Sequence, residues 1–467
     1  MTVSPGKGIE QSVSERLAGD ICGAIPESVA GTREIGTKLV LDITGLCVAA
    51  RRQPYVSAAL SSIDQDGPCT VIGHAHRFGV EGASFVNGTA AHGEDFDDTF
   101  EGGPVHAGAV IVPAVLAACE RHRLSGADLL RGVAIGTEVT CRLCRVAPTR
   151  IHKAGFHPTA VLGAMGAVAG IGAAMRLPQK QLVNAFGIAG SLASGIIEYL
   201  ADGSWTKRMH PGWAAQSGYR AIRLALGGFE GPRTVFEGKH GLFHGFANTE
   251  GGDFEAMLKG FGTQWIWQSI AFKPYACGTM AHPYIDCARE FRNKGIDASL
   301  IERIECETAE GILHRLWEPI DQKRAPPNGY AAKFSIPYAI AVGILRDGAG
   351  LAEFDERVVN DAAVIRLANK VNYIVDPANP YPDRFIGHVR VVLTNGEIHE
   401  HRQDFFRGGL DHPLSEADFE RKFFANCAYG GLSKTGAQRL AEDVTRLFDM
   451  PALNFSESFD ADVASPE

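Results

Sequence analysis

The segment NGTAAHGEDFDDTF (87–100) packs a histidine, a glutamate and three aspartates into one short stretch. Groups of these types take up and return protons, or hold a cation, when the fold keeps them out of bulk water. Helical spacing would set His92, Asp95 or Phe96, and Thr99 one turn apart on a single face, with Asp97 and Asp98 directed elsewhere. The plain alternative is a solvated acidic helix end. Against it, the cluster directly follows an apolar run and is closed by Gly102, Gly103, Pro104 and His106, so the pattern favours a site.

His-Pro occurs four times, at 157–158, 210–211, 282–283 and 412–413, where sixteen histidines and twenty-three prolines would give fewer than one by chance. Proline suits the first turn of a helix, so each of these histidines is expected at or near an N-cap, where the helix dipole disfavours a charged imidazole. Such a histidine is a neutral base. The reading for His412 is simpler, a turn. In SWTKRMHPGW (204–213), Lys207, Arg208 and His210 are expected just ahead of a helix starting near Pro211, where cations and free amides would suit a carboxylate or phosphate; an exposed basic loop is the alternative. The segment FKPYACGTMAHPY (272–284) adds Lys273, Cys277 and His282. Asp95, Asp97 and Thr99 also spell the DxDxT of Mg²⁺-dependent phosphatases with an aspartate nucleophile, but that pattern follows a buried β-branched strand, and GTAAHGE is not one.

These groups must be positioned by a chain of 467 residues, of which 45% are hydrophobic and 21% charged, the composition of a folded globular protein. Apolar residues recur at three and four from Glu10 to Arg51, Ser84 to Ala91, Gly108 to Arg123 and Gly126 to Arg145, so the first half reads as helical. TAVLGAMGAVAGIGAAM (159–175) reads as a buried central helix whose small residues allow close packing, rather than as a dinucleotide loop or a membrane span. Strands are expected only after about residue 268: LIERIECET (300–308) alternates, and HVRVVLTNGEIHEHR (388–402) is a hairpin turning at Asn395-Gly396. Helices are expected at Pro283–Lys294, Ala332–Leu345, Val358–Val371 and Ser415–Phe448. The expected fold is mainly α. A large all-helical domain, made from both chain ends (1–268 and 401–467), carries a smaller inserted α+β lid domain (269–400).

The net charge of −9 gives no basic surface for nucleic acid or an anionic membrane, and a small anionic substrate would need a local cation. Ten scattered cysteines read as reduced thiols, and the Cys141/Cys144 pair as buried helix residues. The first residues show no basic start before an apolar stretch, so a cytoplasmic protein is expected.

Together, and in this order, NGTAAHGEDFDDT (87–99), PVHAGAVIVPA (104–114), GFHPTAVLGAMGA (155–167), TKRMHPGWAAQSG (206–218) and FKPYACGTMAH (272–282) resemble the MmgE/PrpD family over nearly the whole chain. That family includes 2-methylcitrate dehydratase, cis-aconitate decarboxylase and iminodisuccinate epimerase. The resemblance implies a helical domain with an α+β lid, usually a homodimer, with no metal or organic cofactor. It implies a cleft containing Asp95, Thr99, His106, His157 and Lys207, with the lid contributing around Cys277 and His282. The decarboxylase-like pattern carries a further histidine close to Gly278, which this chain lacks. The expected activity is a lyase, dehydratase or decarboxylase, on a small di- or tricarboxylate, with a dicarboxylate epimerase as the alternative and a non-catalytic carboxylate binder or the phosphatase behind it. Asp95, His106, His157 and Lys207 are expected to carry the chemistry, and Thr99, Arg208, His210, Cys277 and His282 to bind substrate.

Overall fold

The computed structural model describes residues 11–249, 251–346, 348–382 and 384–459. The expected absence of an N-terminal leader falls largely on residues 1–10, outside the described residues. The chain is mainly α and divides into two compact units. One comprises the described residues up to Gly93, then Asp98–Ile270 and those from Leu432 on; the other comprises Ala271–Gly431 together with Glu94–Asp97.

The first unit is built around the helix Pro158–Ala174, every residue of which is buried. Proline opens it at the first turn, where no helical N–H is needed. Its glycines let neighbouring backbones come close. A Cβ on Gly166 would fall 1.9 Å from Thr140 Oγ1, and one on Gly170 would fall 2.7 Å from the Gly132 carbonyl oxygen, both on the helix Gly126–Cys144. That helix begins with a capping box, Ser125 accepting from the Asp128 N–H and Asp128 accepting from Ser125 N–H, and it buries Cys141 and Cys144 as free thiols. The helices Val80–His92 and Thr206–Leu226 cross at a second glycine contact. A Cβ on Gly88 would lie 2.6 Å from the Gly212 backbone, and one on Gly212 would lie 2.1 Å from the Phe85 carbonyl oxygen.

Expectation and structure part at several places here and in the second unit, where the expected helices Ala332–Leu345 and Ser415–Phe448 are also each interrupted. The first half is not wholly helical: Asp66–Thr70 and Arg77–Phe78 pair antiparallel, and Thr99–Phe100 is a short strand. The run from Glu10 to Arg51 is broken into Val13–Gly23 and Thr32–Ala50, with Gly31 at φ +80° between them. The run Val358–Val371 is helical only over Glu356–Val359 and Ala362–Ala368, after which Val371–Val375 enters a sheet.

In the second unit that sheet has four strands, ordered Val371–Val375, Ile301–Thr308, Gly387–Leu393, Ile398–Gln403. The first pair is parallel, with Ile304 opposite Val371, and the other two pairs are antiparallel. The parallel pair requires a long crossover, which the helices between residues 309 and 370 supply. Alternation sorts the faces: Ile304, Cys306, Val389 and Val391 are buried, while Glu305, Glu307, His388 and Arg390 lie on the other face. The Asn395-Gly396 turn closes the hairpin, with Gly396 at φ +86° and Glu397 donating its N–H to Asn395 Oδ1. Among the described residues no helix is long and apolar enough to cross a membrane.

Candidate active site

Four histidines from separate elements of the first unit meet. His92 is the last residue of Val80–His92, His106 precedes the helix Gly108–His122, His157 caps Pro158–Ala174, and His210 lies in Thr206–Leu226. The ring of His92 is centred 4.8 Å from His106 and 5.6 Å from His157, and His157 is centred 5.3 Å from His210. The Tyr199 ring lies against His157 and His210 at 6.3 and 5.8 Å. His92, His157 and His210 are buried, and His106 is partly so.

The His106 ring is held by backbone. Nδ1 of His106 lies 2.8 Å from the Asp98 carbonyl oxygen, which can only accept, so His106 donates from Nδ1, and in the neutral ring the lone pair is on Nε2. The Asp98 carboxylate in turn accepts from the Gly108 N–H at the start of the next helix, 3.1 Å away. The His106 N–H donates to Thr159 Oγ1, one residue past the proline that follows His157. The His157 N–H donates to the Gly195 carbonyl, 2.8 Å away, and its Nδ1 lies 3.1 Å from Nδ1 of His210.

Burial, then the charges of His92 and Lys207 with further histidines, holds the His157 pKa well below its ordinary value. Burial likewise lowers His210, to about 4, with His92 and Lys207 acting in the same direction. Both rings are therefore neutral near pH 7. Lys207 sits partly exposed in the first turn of its helix.

The helix carrying Lys207, Arg208 and His210 starts at Thr206, so these residues lie inside it rather than ahead of Pro211, and Pro211 is an interior residue. Pro211 has no N–H to give the Lys207 carbonyl, yet the helix continues through it. His210 is thus no N-cap, whereas His157 is one and His282 is the first residue of its helix. His412 lies in a turn, stacked on Phe405. The Arg208 guanidinium stands 4.4 Å from the centre of the Tyr55 ring, a cation–π contact.

The expected helical face through residues 92, 95 and 99 does not form, because the helix ends at His92 and Asp95 has φ +55°. Thr99 opens a strand. The acidic triplet is no solvated helix end either: Asp95 is 3% exposed, and Asp97 and Asp98 are fully buried.

Asp95 belongs to the second unit, where three lysines hold consecutive carbonyls of one short segment. Lys333 donates to the Glu94 carbonyl and carboxylate, Lys273 to the Asp95 carbonyl at 2.7 Å, and Lys422 to the Phe96 carbonyl at 2.9 Å, lying over the Phe96 ring. Lys273 Nζ is also 3.6 Å from the Asp95 carboxylate. All three lysines are buried, a cost met by charge-assisted hydrogen bonds. Cys277 is buried, which pushes its thiol up and keeps it protonated. His282 donates from Nε2 to the Cys277 carbonyl, 3.1 Å away, and burial lowers its pKa to about 3.

His92, Tyr199 and Lys422 were given no role from the sequence. His92 was visible within its motif, since it precedes the acidic run. Tyr199 and Lys422 carried no local signal, because only packing brings them to their partners.

Neutral buried imidazoles next to a lysine are groups able to move a proton beside a bound anion. Profiles of the MmgE/PrpD N-terminal domain and of the MmgE/PrpD C-terminal domain match residues 15–255 and 275–447. The chain belongs to the MmgE/PrpD family. It is 29% identical over 357 residues to cis-aconitate decarboxylase of Mus musculus, covering 74% of this chain and 71% of that protein. The Homo sapiens cis-aconitate decarboxylase is 29% identical over 355 residues (74% and 72%). That of Aspergillus terreus is 26% identical over 342 residues, 68% of each.

Proposed function

We propose that this chain is a cofactor-independent lyase that acts on a small di- or tricarboxylate through proton transfer at the carbon next to a carboxylate. The observation that carries the reading is the buried histidine group, in which His157 and His210 stay neutral and His106 donates from Nδ1 to the Asp98 carbonyl. A neutral imidazole can take a proton from carbon, and an imidazolium can return it, which is typically worth about 10² to 10⁴ in rate. His157 and His106 are assigned to this step, and Lys207 and Thr99 to the substrate's carboxylates. A carboxylate next to the reacting carbon spreads the developing negative charge onto its oxygens, where a lysine stabilises it.

In dehydration, the base removes the carbon-bound proton, the electron pair forms the double bond, and hydroxide leaves with a proton as water. In decarboxylation, the bond to the departing carboxylate supplies the electron pair, CO₂ leaves, and protonation at carbon completes the product. Removal and return of the proton on opposite faces would instead invert the centre. The names of the relatives support decarboxylation of cis-aconitate as the first reaction to test, while Gly278 leaves the lid segment without a histidine at that position.

The test is proton NMR in D₂O of chelator-treated protein with cis-aconitate, 2-methylcitrate, citrate, iminodisuccinate and tartrate in turn. Loss of CO₂ or water from one of them is expected. Deuterium uptake with inversion and no fragmentation would replace the lyase by an epimerase, and activity that disappears with chelation would overturn cofactor independence. No change in any compound with folded protein would remove the lyase reading.

A further inference from the structure

We propose that His210 is the positioning residue of His157: a hydrogen bond between their Nδ1 atoms fixes the two rings in opposite tautomers. The inference rests on the reading of His157 as a proton-transferring group.

The distance between the two Nδ1 atoms is 3.1 Å, a hydrogen bond, and a hydrogen bond needs one donor and one acceptor. A neutral imidazole carries one proton on one of its two nitrogens. Two bare Nδ1 atoms at this distance would oppose their lone pairs, and two protonated ones would oppose their hydrogens. One Nδ1 therefore carries the proton and the other does not. The donating ring then has a bare Nε2, and the accepting ring carries its proton on Nε2.

The surroundings keep this pairing from dissolving. Both side chains are buried, each residue being 5% exposed, and the Tyr199 ring lies against both. Gly195 sets their spacing from one side. Its carbonyl receives the His157 N–H, and a Cβ placed on it would fall 3.4 Å from His210 Nδ1 and 2.5 Å from the Ala160 Cβ. Gly195 has φ +118°, a conformation that glycine adopts freely and other residues rarely do. From the other side, the Gly88–Gly212 crossing fixes the helix that carries His210.

The pairing gives His157 a defined job. When His157 donates from Nδ1, its Nε2 is the base. If that Nε2 takes a proton from a substrate carbon, the Nδ1 proton can pass along the same hydrogen bond to His210 Nδ1. His157 then remains neutral with its proton on Nε2, and the positive charge rests on His210, now protonated on both nitrogens. One proton has entered and none has left. The reverse shift restores the starting state when Nε2 returns its proton to product.

The experiment uses the full-length protein labelled with imidazole-¹⁵N histidine, whose long-range ¹H–¹⁵N spectra distinguish Nδ1–H from Nε2–H rings. Resonances are assigned from the set lost in each single-histidine variant. Wild type should show His157 and His210 as two complementary neutral tautomers. In His210→Leu, His157 should become a mixture of tautomers, and kcat should fall about 10²-fold with KM changed far less. In His210→Asn, the amide stands where Nδ1 stood, so the single tautomer should return, while kcat should stay low because an amide cannot take up the proton that His210 accepts. The same tautomer on both rings in wild type would overturn the proposal, as would a single unchanged His157 tautomer in folded His210→Leu. Should the leucine variant fail to fold, the wild-type spectrum and the asparagine variant still decide. The spectra require no substrate, so a protein inactive on every carboxylate would overturn the lyase reading while leaving the tautomer result to stand or fall alone.

Discussion

At the scale of single residues, the chain keeps imidazoles neutral by withholding water. His157 and His210 titrate below their ordinary range mainly because burial penalises the charged ring. Replacing His157 with glutamine keeps size and one polar end but removes the basic nitrogen. Steady-state kinetics of His157→Gln should show kcat lowered by about 10² to 10⁴, with calorimetry still showing carboxylate binding; an unchanged kcat would take His157 out of the chemistry. Lys207 should behave in the opposite sense. A point charge that meets a substrate carboxylate supports binding, so Lys207→Met should raise KM by about tenfold or more. A KM that stays put in that variant would assign the carboxylates to another cation.

At the scale of elements, the site depends on how closely helices approach. The helix that ends in His92 and the helix that carries His210 touch through Gly88 and Gly212, where a Cβ would meet backbone rather than a side chain able to turn aside. Gly212→Ala should therefore cost about 1–3 kcal/mol in urea unfolding, and turnover should fall in protein that is still folded, because the histidines separate. Wild-type stability in that variant would mean that the crossing is looser than the glycine contact implies. In the second unit the equivalent constraint is electrostatic. Lys273 supplies a buried donor to the Asp95 carbonyl, and Lys273→Met should destabilise by about 1–3 kcal/mol through loss of that bond. Thermal melts of this variant and of an exposed control, Lys294→Met, separate the buried bond from a general loss of charge, since Lys294 is exposed.

At the scale of the whole molecule, buried neutral histidines link folding to pH. The His210 pKa is lowered to about 4 in the fold, while in the unfolded chain it returns to its ordinary value near 6.5. Between those values the unfolded chain binds a proton that the folded one refuses. The stabilisation is therefore full above about pH 6.5 and is lost as pH falls towards 4, with a slope of up to about 1.4 kcal/mol per pH unit for each such histidine. His157, His282 and His74 act with the same sign. Urea midpoints taken across this range for wild type and His210→Asn should show a flatter dependence in the variant, by up to one proton. Parallel curves would mean that His210 is already charged in the folded protein.

The sequence alone determined what local rules control. Period and capping placed the helices that begin at Gly108, Gly126 and Pro158, and the Asn395-Gly396 turn set the hairpin, because each depends on neighbours a few residues away. The motif residues His106, His157, Lys207 and His210 were legible too: His157 and His210 stand before prolines, Lys207 shares a basic segment with His210, and His106 closes the acidic cluster. Tertiary structure decided the rest. Helical spacing could not show that the chain turns away at Gly93, because the left-handed backbone at Asp95 accompanies a carbonyl that Lys273, 178 residues distant, holds by a hydrogen bond. Nor could it place Val371–Val375 as a parallel strand, whose partner lies across a crossover of some sixty residues. The pairing of His157 with His210 is of the same kind: the sequence supplied two imidazoles, and only the packing of two helices brought their Nδ1 atoms within a hydrogen bond.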